Sequence, residues 1–401
     1  MNVQKILSRI TPISVEREFA FYHRSDCTPI RKAERGHLMA AFSEKLSGLS
    51  VKTEVVEEVA ANSIEVKVCF STLERLRDDI IRVYRVIAAV IRDSPFYIIG
   101  TSQPRSSDAV SDEITHFFTT DVFNAEASFF AATNSLHLHI GAGNEESAVA
   151  IYNAGNRIAS ILLAMSQCTT IDGVERGRAH FVSNILGHFP RELVVPWQIS
   201  TLKDFSLEVE NARAAVERFI RTSVSADRLL ILVSRYPEFI SPDGRLLKLT
   251  PDKVFHATRL RPDKSVPELG LIGSVEFRPL DGQATMQMDI AHIEFSLGLI
   301  AHMIARDRAH TISPSEAAML NREMRAIPAN GFGAIQWDGL ISPHGAYLDA
   351  YDGLETIGLD PEGILDIPLD GGKAEIACLR DSSADSIIRR NHNRFMKSVA
   401  D

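Results

Sequence analysis

The stretch Asn134-Ser-Leu-His-Leu-His-Ile-Gly-Ala-Gly143 constrains the fold more than any other. Alternate residues of a strand point to the same side, so His137 and His139 share one face while Leu136, Leu138 and Ile140 occupy the other. Such a strand presents an apolar side to a core and a polar side that two imidazoles suit to a metal ion or a phosphate. Read alone, His-x-His is more often a half-buried strand whose histidines are satisfied by core hydrogen bonds. Its meaning therefore depends on acidic partners elsewhere in the chain.

Three further stretches supply them. In Ile13-Ser-Val-Glu-Arg-Glu-Phe-Ala-Phe-Tyr22, Glu16 and Glu18 alternate with Val15, Arg17, Phe19 and Phe21. Side-by-side carboxylates on a covered face need a cation or arginines to neutralise them; on an open face they make an acidic edge strand. Ser63-Ile-Glu-Val-Lys-Val-Cys-Phe70 sets Glu65 and Lys67 against Ile64, Val66 and Val68. Gly273-Ser-Val-Glu-Phe-Arg-Pro-Leu-Asp281 sets Glu276 and Arg278 against Val275 and Phe277, and upstream Arg259 and Arg261 repeat the two-residue spacing. Phe96-Tyr-Ile-Ile-Gly100 reads as a further apolar strand.

Between the strands, periodicity predicts helices. Ser71-Thr-Leu-Glu74 has the form of a capping box opening a helix to about residue 92, and Asn144 is placed to cap one whose apolar positions run from Val149 to Met165. A third helix is expected over 207–223, with 229–233 extending it or starting a strand, and Asp289 is expected to cap a helix to about residue 306. The basic segment Ile387-Ile-Arg-Arg-Asn-His-Asn-Arg394 predicts a surface helix. No repeat or low-complexity linker divides the chain, so one large domain over 1–370 and a tail over 371–401 are expected.

Composition removes several classes of function. Among 401 residues, 43 Lys and Arg stand against 52 Asp and Glu, a net charge of -9 that argues against a nucleic-acid-wrapping surface. Cys27, Cys69, Cys168 and Cys378 lack Cys-x-x-Cys spacing, so a cytoplasmic, reduced protein is the expectation. No apolar run approaches the roughly 18 residues of a spanning helix, so no membrane is expected. Neither a P-loop, a dinucleotide-binding glycine motif, His-Glu-x-x-His nor Gly-x-Ser-x-Gly occurs. If a nucleotide binds, metals and arginines on a sheet must hold it.

The four polar strand faces together suit a hard divalent cation bridging phosphates, with arginines clamping oxygens beside it. In their order, these segments resemble the carboxylate–amine ligases of the glutamate–cysteine ligase type. Val15-Glu-Arg-Glu-Phe19 resembles the family's Glu-x-Glu strand, Ile64-Glu-Val-Lys67 its next acidic strand, and Leu136-His-Leu-His-Ile-Gly141 its His-Val-His-Val-Gly motif. Leu162-Leu-Ala-Met-Ser166, Gly177-Arg178 with Phe189-Pro190, and Arg259 before Gly273-Ser-Val-Glu-Phe-Arg-Pro-Leu-Asp281 resemble the segments that follow. The likeness covers roughly residues 13 to 335. Gln167-Cys-Thr-Thr170 departs from the family's Ser-Pro-x-x-Gly, and little of 221–267 matches beyond Arg259.

The resemblance implies an α+β fold: a large, mainly antiparallel, curved sheet lined by the active site and backed by helices, as in the glutamine synthetase-like catalytic domain. It implies ATP with Mg2+ or Mn2+, a small carboxylate such as glutamate or another amino acid, and an amine, joined through an acyl phosphate. A homodimer is compatible with such an enzyme. Glu16, Glu18, Glu65, His139 and Glu276 are the implied metal ligands, and Glu276 and Arg278 the implied catalytic pair. Arg176, Arg178, Arg259 and His137 are implied in contacts with nucleotide phosphate or substrate. Three rivals stay open: a small-molecule kinase on the same fold, an inactive ligand-binding relative, and a metal-dependent hydrolase built on His137 and His139.

Overall fold

Alternation in the first strand sets the architecture. The computed structural model describes residues 12–400 apart from 59, 102–116, 123–132, 168–169, 172–173, 176, 181, 184–193, 197, 249–255, 337–342, 362–363 and 365–382. Seven strands form one sheet: β1 (Ile13–His23), β2 (Lys52–Glu57), β3 (Ser63–Ser71), β4 (Phe96–Ile99), β5 (Leu136–Ala142), β6 (Thr258–Arg261) and β7 (Gly273–Phe277). Their order is β2-β3-β1-β5-β7-β6, and β4 pairs with the far end of β1. Every pairing is antiparallel.

One face of this sheet is apolar. Val15, Phe19, Ile64, Val66, Val68, Leu138, Val275 and Phe277 are all buried there. Among the described residues the helices include α1 (Lys32–Leu46), α2 (Leu73–Arg92), α3 (Glu145–Met165), α4 (Leu202–Ser223) and α5 (Ala226–Arg235). The remainder are α6 (Met286–Ala305), α7 (Pro314–Asn330), α8 (Pro343–Thr356) and α9 (Ala384–Ala400). Side chains of α2, α3, α6 and α8 share one core with the sheet, while α4, α5 and α7 enclose a second against the far side of α3. Both α3 and α6 are long and apolar enough to cross a membrane, but their apolar windows are 100% and 83% buried, as core helices require. On α3, Gly155 lies directly over Phe277, and a Cβ there would overlap the ring.

Several local expectations change. The cap position of α2 falls on Thr72, which makes no side-chain capping hydrogen bond, and not on Ser71, whose Oγ donates to Asp79 Oδ2 at 2.7 Å. Asn144 caps α3 as expected, accepting from Ser147 N at 2.8 Å. Thr285, and not Asp289, caps α6. Asp289 stands in the first turn, where Arg17 and Tyr84 claim its carboxylate. After Ser223 the chain leaves helical geometry at Val224 and re-enters it as α5, so 229–233 is neither an extension of α4 nor a strand. The basic C-terminal helix is amphipathic rather than wholly superficial: Ile387, Ile388, Phe395 and Val399 are buried, and the Phe395 ring meets Phe19 edge-on at 5.6 Å.

Candidate active site

The sheet's other face carries the polar residues, and strand register decides which of them meet. Glu16 stands opposite Lys67 on one side and His137 on the other. Glu18 stands opposite Glu65, and Glu276 lies between His139 and Arg259. Glu16, Glu18, Glu65, His137, His139 and Glu276 are each at most 8% exposed. Charge this deeply buried persists only with partners close by.

Those partners are present. Lys67 Nζ lies 2.6 Å from Glu16 Oε1 and 2.7 Å from Glu65 Oε1. Glu276 Oε2 accepts from Arg259 Nε at 3.0 Å and from Arg261 Nη1 at 2.9 Å, and Arg278 Nε is 3.3 Å from Glu276 Oε1. Glu18 Oε2 accepts from the Ser135 backbone N–H at 2.7 Å. Arg178 Nη2 stands 3.4 Å from His137 Nε2, while its own backbone N–H donates to the buried Asp281.

The carboxylates divide electrostatically. Burial pushes Glu16 and Glu276 upward but is outweighed, for Glu16 by His139, His137 and Lys67, for Glu276 by Arg259, His139 and Arg278. Both stay ionised well below the usual carboxylate range. Glu65 goes the other way: burial, with Glu16 and Glu18 beside it, raises it to about 8 despite Lys67. Burial also holds His137 neutral-leaning, below the ordinary imidazole value. Arg278 falls to about 10 through burial and the neighbouring Arg259.

The donor set fits a divalent cation. Glu16, His137 and Glu276 offer atoms within 4.8 Å of one another, and so do Glu18, Glu65 and His137. Oxygens facing each other across a magnesium ion at about 2.0–2.1 Å stand roughly 4.2 Å apart, so small side-chain shifts would close either group. His139 Nε2 is buried and 3.3 Å from Glu16 Oε1, yet out of hydrogen-bonding alignment. A cavity of about 230 Å³ opens beside this end of the cluster, lined by Ser14, Glu16, Lys52, Lys67, His139, Lys264 and Ser274 among others.

The sequence-predicted residues therefore converge, with three qualifications of role. The tightest donor groups use His137, whereas His139 faces Glu16 and the cavity. Arg259 is engaged with Glu276 rather than turned outward. Arg176 and Phe189-Pro190 lie outside the described residues. Lys67 and Arg261 belong to the cluster although the pattern gave them no role; their signal was position, two residues beyond Glu65 and Arg259 on the same face. His256, 1% exposed beside Arg259 and Arg278, gave no signal at all; burial and those two arginines lower it to about 3.

No family model matches the sequence, and no curated protein does. Solved structures do. The chain is similar to a bifunctional glutathione synthetase from Pasteurella multocida, with a TM-score of 0.55 and 13% identity over 99% of this chain and 54% of that one. It is similar also to the glutamate–cysteine ligase of Francisella tularensis, solved in complex with AMP, with a TM-score of 0.54 and 10% identity over 96% and 88% of the two chains. The chain thus spans about half the length of the bifunctional synthetase. At such identity the likeness is one of fold, and the α+β fold expected from the sequence is the fold found.

Proposed function

We propose that the chain is an ATP-dependent carboxylate–amine ligase that forms an amide bond and releases ADP and phosphate. One observation carries this reading: buried carboxylates and an imidazole from β1, β5 and β7 converge within 4.8 Å, with Arg259, Arg261 and Arg278 gathered on Glu276. That combination suits a polyphosphate, whose transfer is catalysed mainly by positioning and charge neutralisation. The fold shared with a glutathione synthetase and a glutamate–cysteine ligase supports the same chemistry.

Glu16, His137 and Glu276, with Glu18, Glu65 and His139 around them, are the residues that would hold divalent cations. Magnesium or manganese held there would supply positive charge to offset that of the polyphosphate. The nucleotide enters by the cavity beside His139, where the ammonium groups of Lys52, Lys67 and Lys264 suit phosphate and the carboxylates of Glu16, Glu54 and Asp263 suit the cation that accompanies it. Arg278 neutralises the γ-phosphoryl group as its bond to the β-phosphate breaks and a carboxylate oxygen of the acid substrate takes it. Arg178, next to His137, orients the acid. The amine nitrogen then attacks the acyl carbon, phosphate leaves, and the nitrogen loses a proton to give the amide. Glutamate or another amino acid is the acid substrate.

The test is ADP formation with magnesium across a panel of amino acids and amines, followed by mass spectrometry of the product. The expected result is ADP release that needs both an acid and an amine, with an amide of the summed mass less water. Phosphorylation of one substrate without the other would identify a kinase instead, and no ADP from a broad panel would reject the ligase.

A further inference from the structure

Lys67 projects from β3 into the carboxylate cluster and is only 15% exposed. Its ammonium touches Glu16 at 2.6 Å and Glu65 at 2.7 Å, two carboxylates carried by neighbouring strands. Glu16 belongs to one of the two three-donor groups and Glu65 to the other. A cation between oxygens of two such carboxylates stands where a divalent ion bridging them would stand. An ammonium there differs from an ion in two respects: it cannot dissociate, and it brings one unit of charge in place of two. The remaining carboxylates do not need it, since Glu276 has three guanidinium groups within 3.3 Å and Glu18 a backbone donor.

We propose that the Lys67 ammonium is a built-in cation of this site, occupying the place between Glu16 and Glu65 that a divalent ion would fill, so that the chain takes up one divalent ion fewer than its carboxylates permit. The inference rests on the metal-binding part of the reading above. It makes Lys67 a positioning residue, fixing the two carboxylates across β1 and β3 and limiting the metal count.

Manganese alone is the probe, counted by equilibrium dialysis of the full chain without nucleotide and checked by electron paramagnetic resonance. The wild-type chain is expected to hold no more than one ion, and Lys67→Met one more at the same free concentration. Lys67→Arg, which keeps the charge, is expected to match wild type. Equal counts in wild type and Lys67→Met overturn the proposal, as does a wild-type chain holding two or more ions. A wild-type count of two or more overturns the proposal without any variant; where circular dichroism shows Lys67→Met unfolded, Lys67→Gln is counted in its place, with one more ion than wild type expected and an equal count overturning the proposal. Failure of the ligase reading looks different: no ADP forms from any acid and amine, while the two manganese counts still differ by one.

Discussion

Arg17 and Asp289, 272 positions apart, form an ion pair beneath the sheet, with Nε 2.8 Å from Oδ2 and both side chains at most 2% exposed. Strand alternation puts this cation on the apolar side, between the two outward carboxylates Glu16 and Glu18. Tyr84 Oη donates to the same Asp289 oxygen at 2.6 Å, and Arg17 Nη2 donates to Gln283 O at 2.9 Å. The pair thereby ties β1 to α2 and to the first turn of α6, and it holds the backbone that presents the site.

Removing one member of such a pair leaves the other charged and buried, which typically costs about 3–5 kcal/mol. Asp289→Ala is therefore expected to destabilise the chain by that amount in urea or thermal unfolding. Asp289→Asn, which keeps one acceptor for Tyr84 and Arg17, should lose less. A loss below about 1 kcal/mol for Asp289→Ala would place the pair among ordinary surface interactions.

Gly155 is the next point where packing supports the site. Alanine is a better helix former by about 1 kcal/mol, yet a Cβ at 155 would overlap Phe277, the residue after Glu276. Overpacking of a core usually costs about 1–3 kcal/mol. The expected outcome for Gly155→Ala is a lower melting temperature and reduced turnover together, since the added methyl presses on the Phe277 ring and so on β7. A melting temperature above wild type would mean that the helix moves without disturbing the sheet.

The faces of β1, β3, β5 and β7 were legible in the sequence because a two-residue period survives any tertiary context. That is why Glu16, Glu18, Glu65, His137 and Glu276 were found together. Register was not legible: nothing in one strand says that Glu16 will stand between Lys67 and His137, so Lys67 went unassigned. Asp289 was misread for a related reason. Its place near the start of an apolar periodic segment is that of a cap, and only the arrival of Arg17 from a strand 272 residues away gives it another role. α1, β2, α7 and α8 carried weaker patterns and were not anticipated. α7 has Pro328 near its end, and neither α1 nor α8 shows a clean apolar stripe.

Glu65 sets a pH dependence. Its folded value of about 8 exceeds the ordinary 4.5, so between those values the folded chain keeps a proton that the unfolded chain has released. Stability from this group is therefore full at low pH and is lost as pH rises through about 8. Glutamine cannot ionise, so Glu65→Gln is expected to raise the melting temperature relative to wild type more at about pH 8.5 than at about pH 5 in chelator-treated buffer. Glu16 and Glu276, depressed in the fold, act oppositely in both chains and cancel in the comparison. A difference that shrinks as pH rises would contradict the burial of Glu65 beside Glu16.

Glu276→Gln separates charge from shape at the centre of the site. The glutamine keeps an oxygen for Arg259 and Arg261 but removes the negative charge that these groups and Arg278 share. If Glu276 helps to hold a divalent ion, the variant loses both that ligand and the balance that keeps three guanidinium groups from acting on phosphate without metal. Turnover measured as ADP release is then expected to fall by about 100-fold or more, the scale seen when one preorganised electrostatic contact to a transition state is removed. Nucleotide binding without metal, followed by thermal shift, should strengthen, because the arginines remain and their counter-charge has gone. Circular dichroism should show the wild-type secondary structure, since Val275 and Phe277, not Glu276, supply this strand's core contacts. Unchanged turnover in Glu276→Gln would remove the residue from the chemistry and leave its three arginines as a structural network.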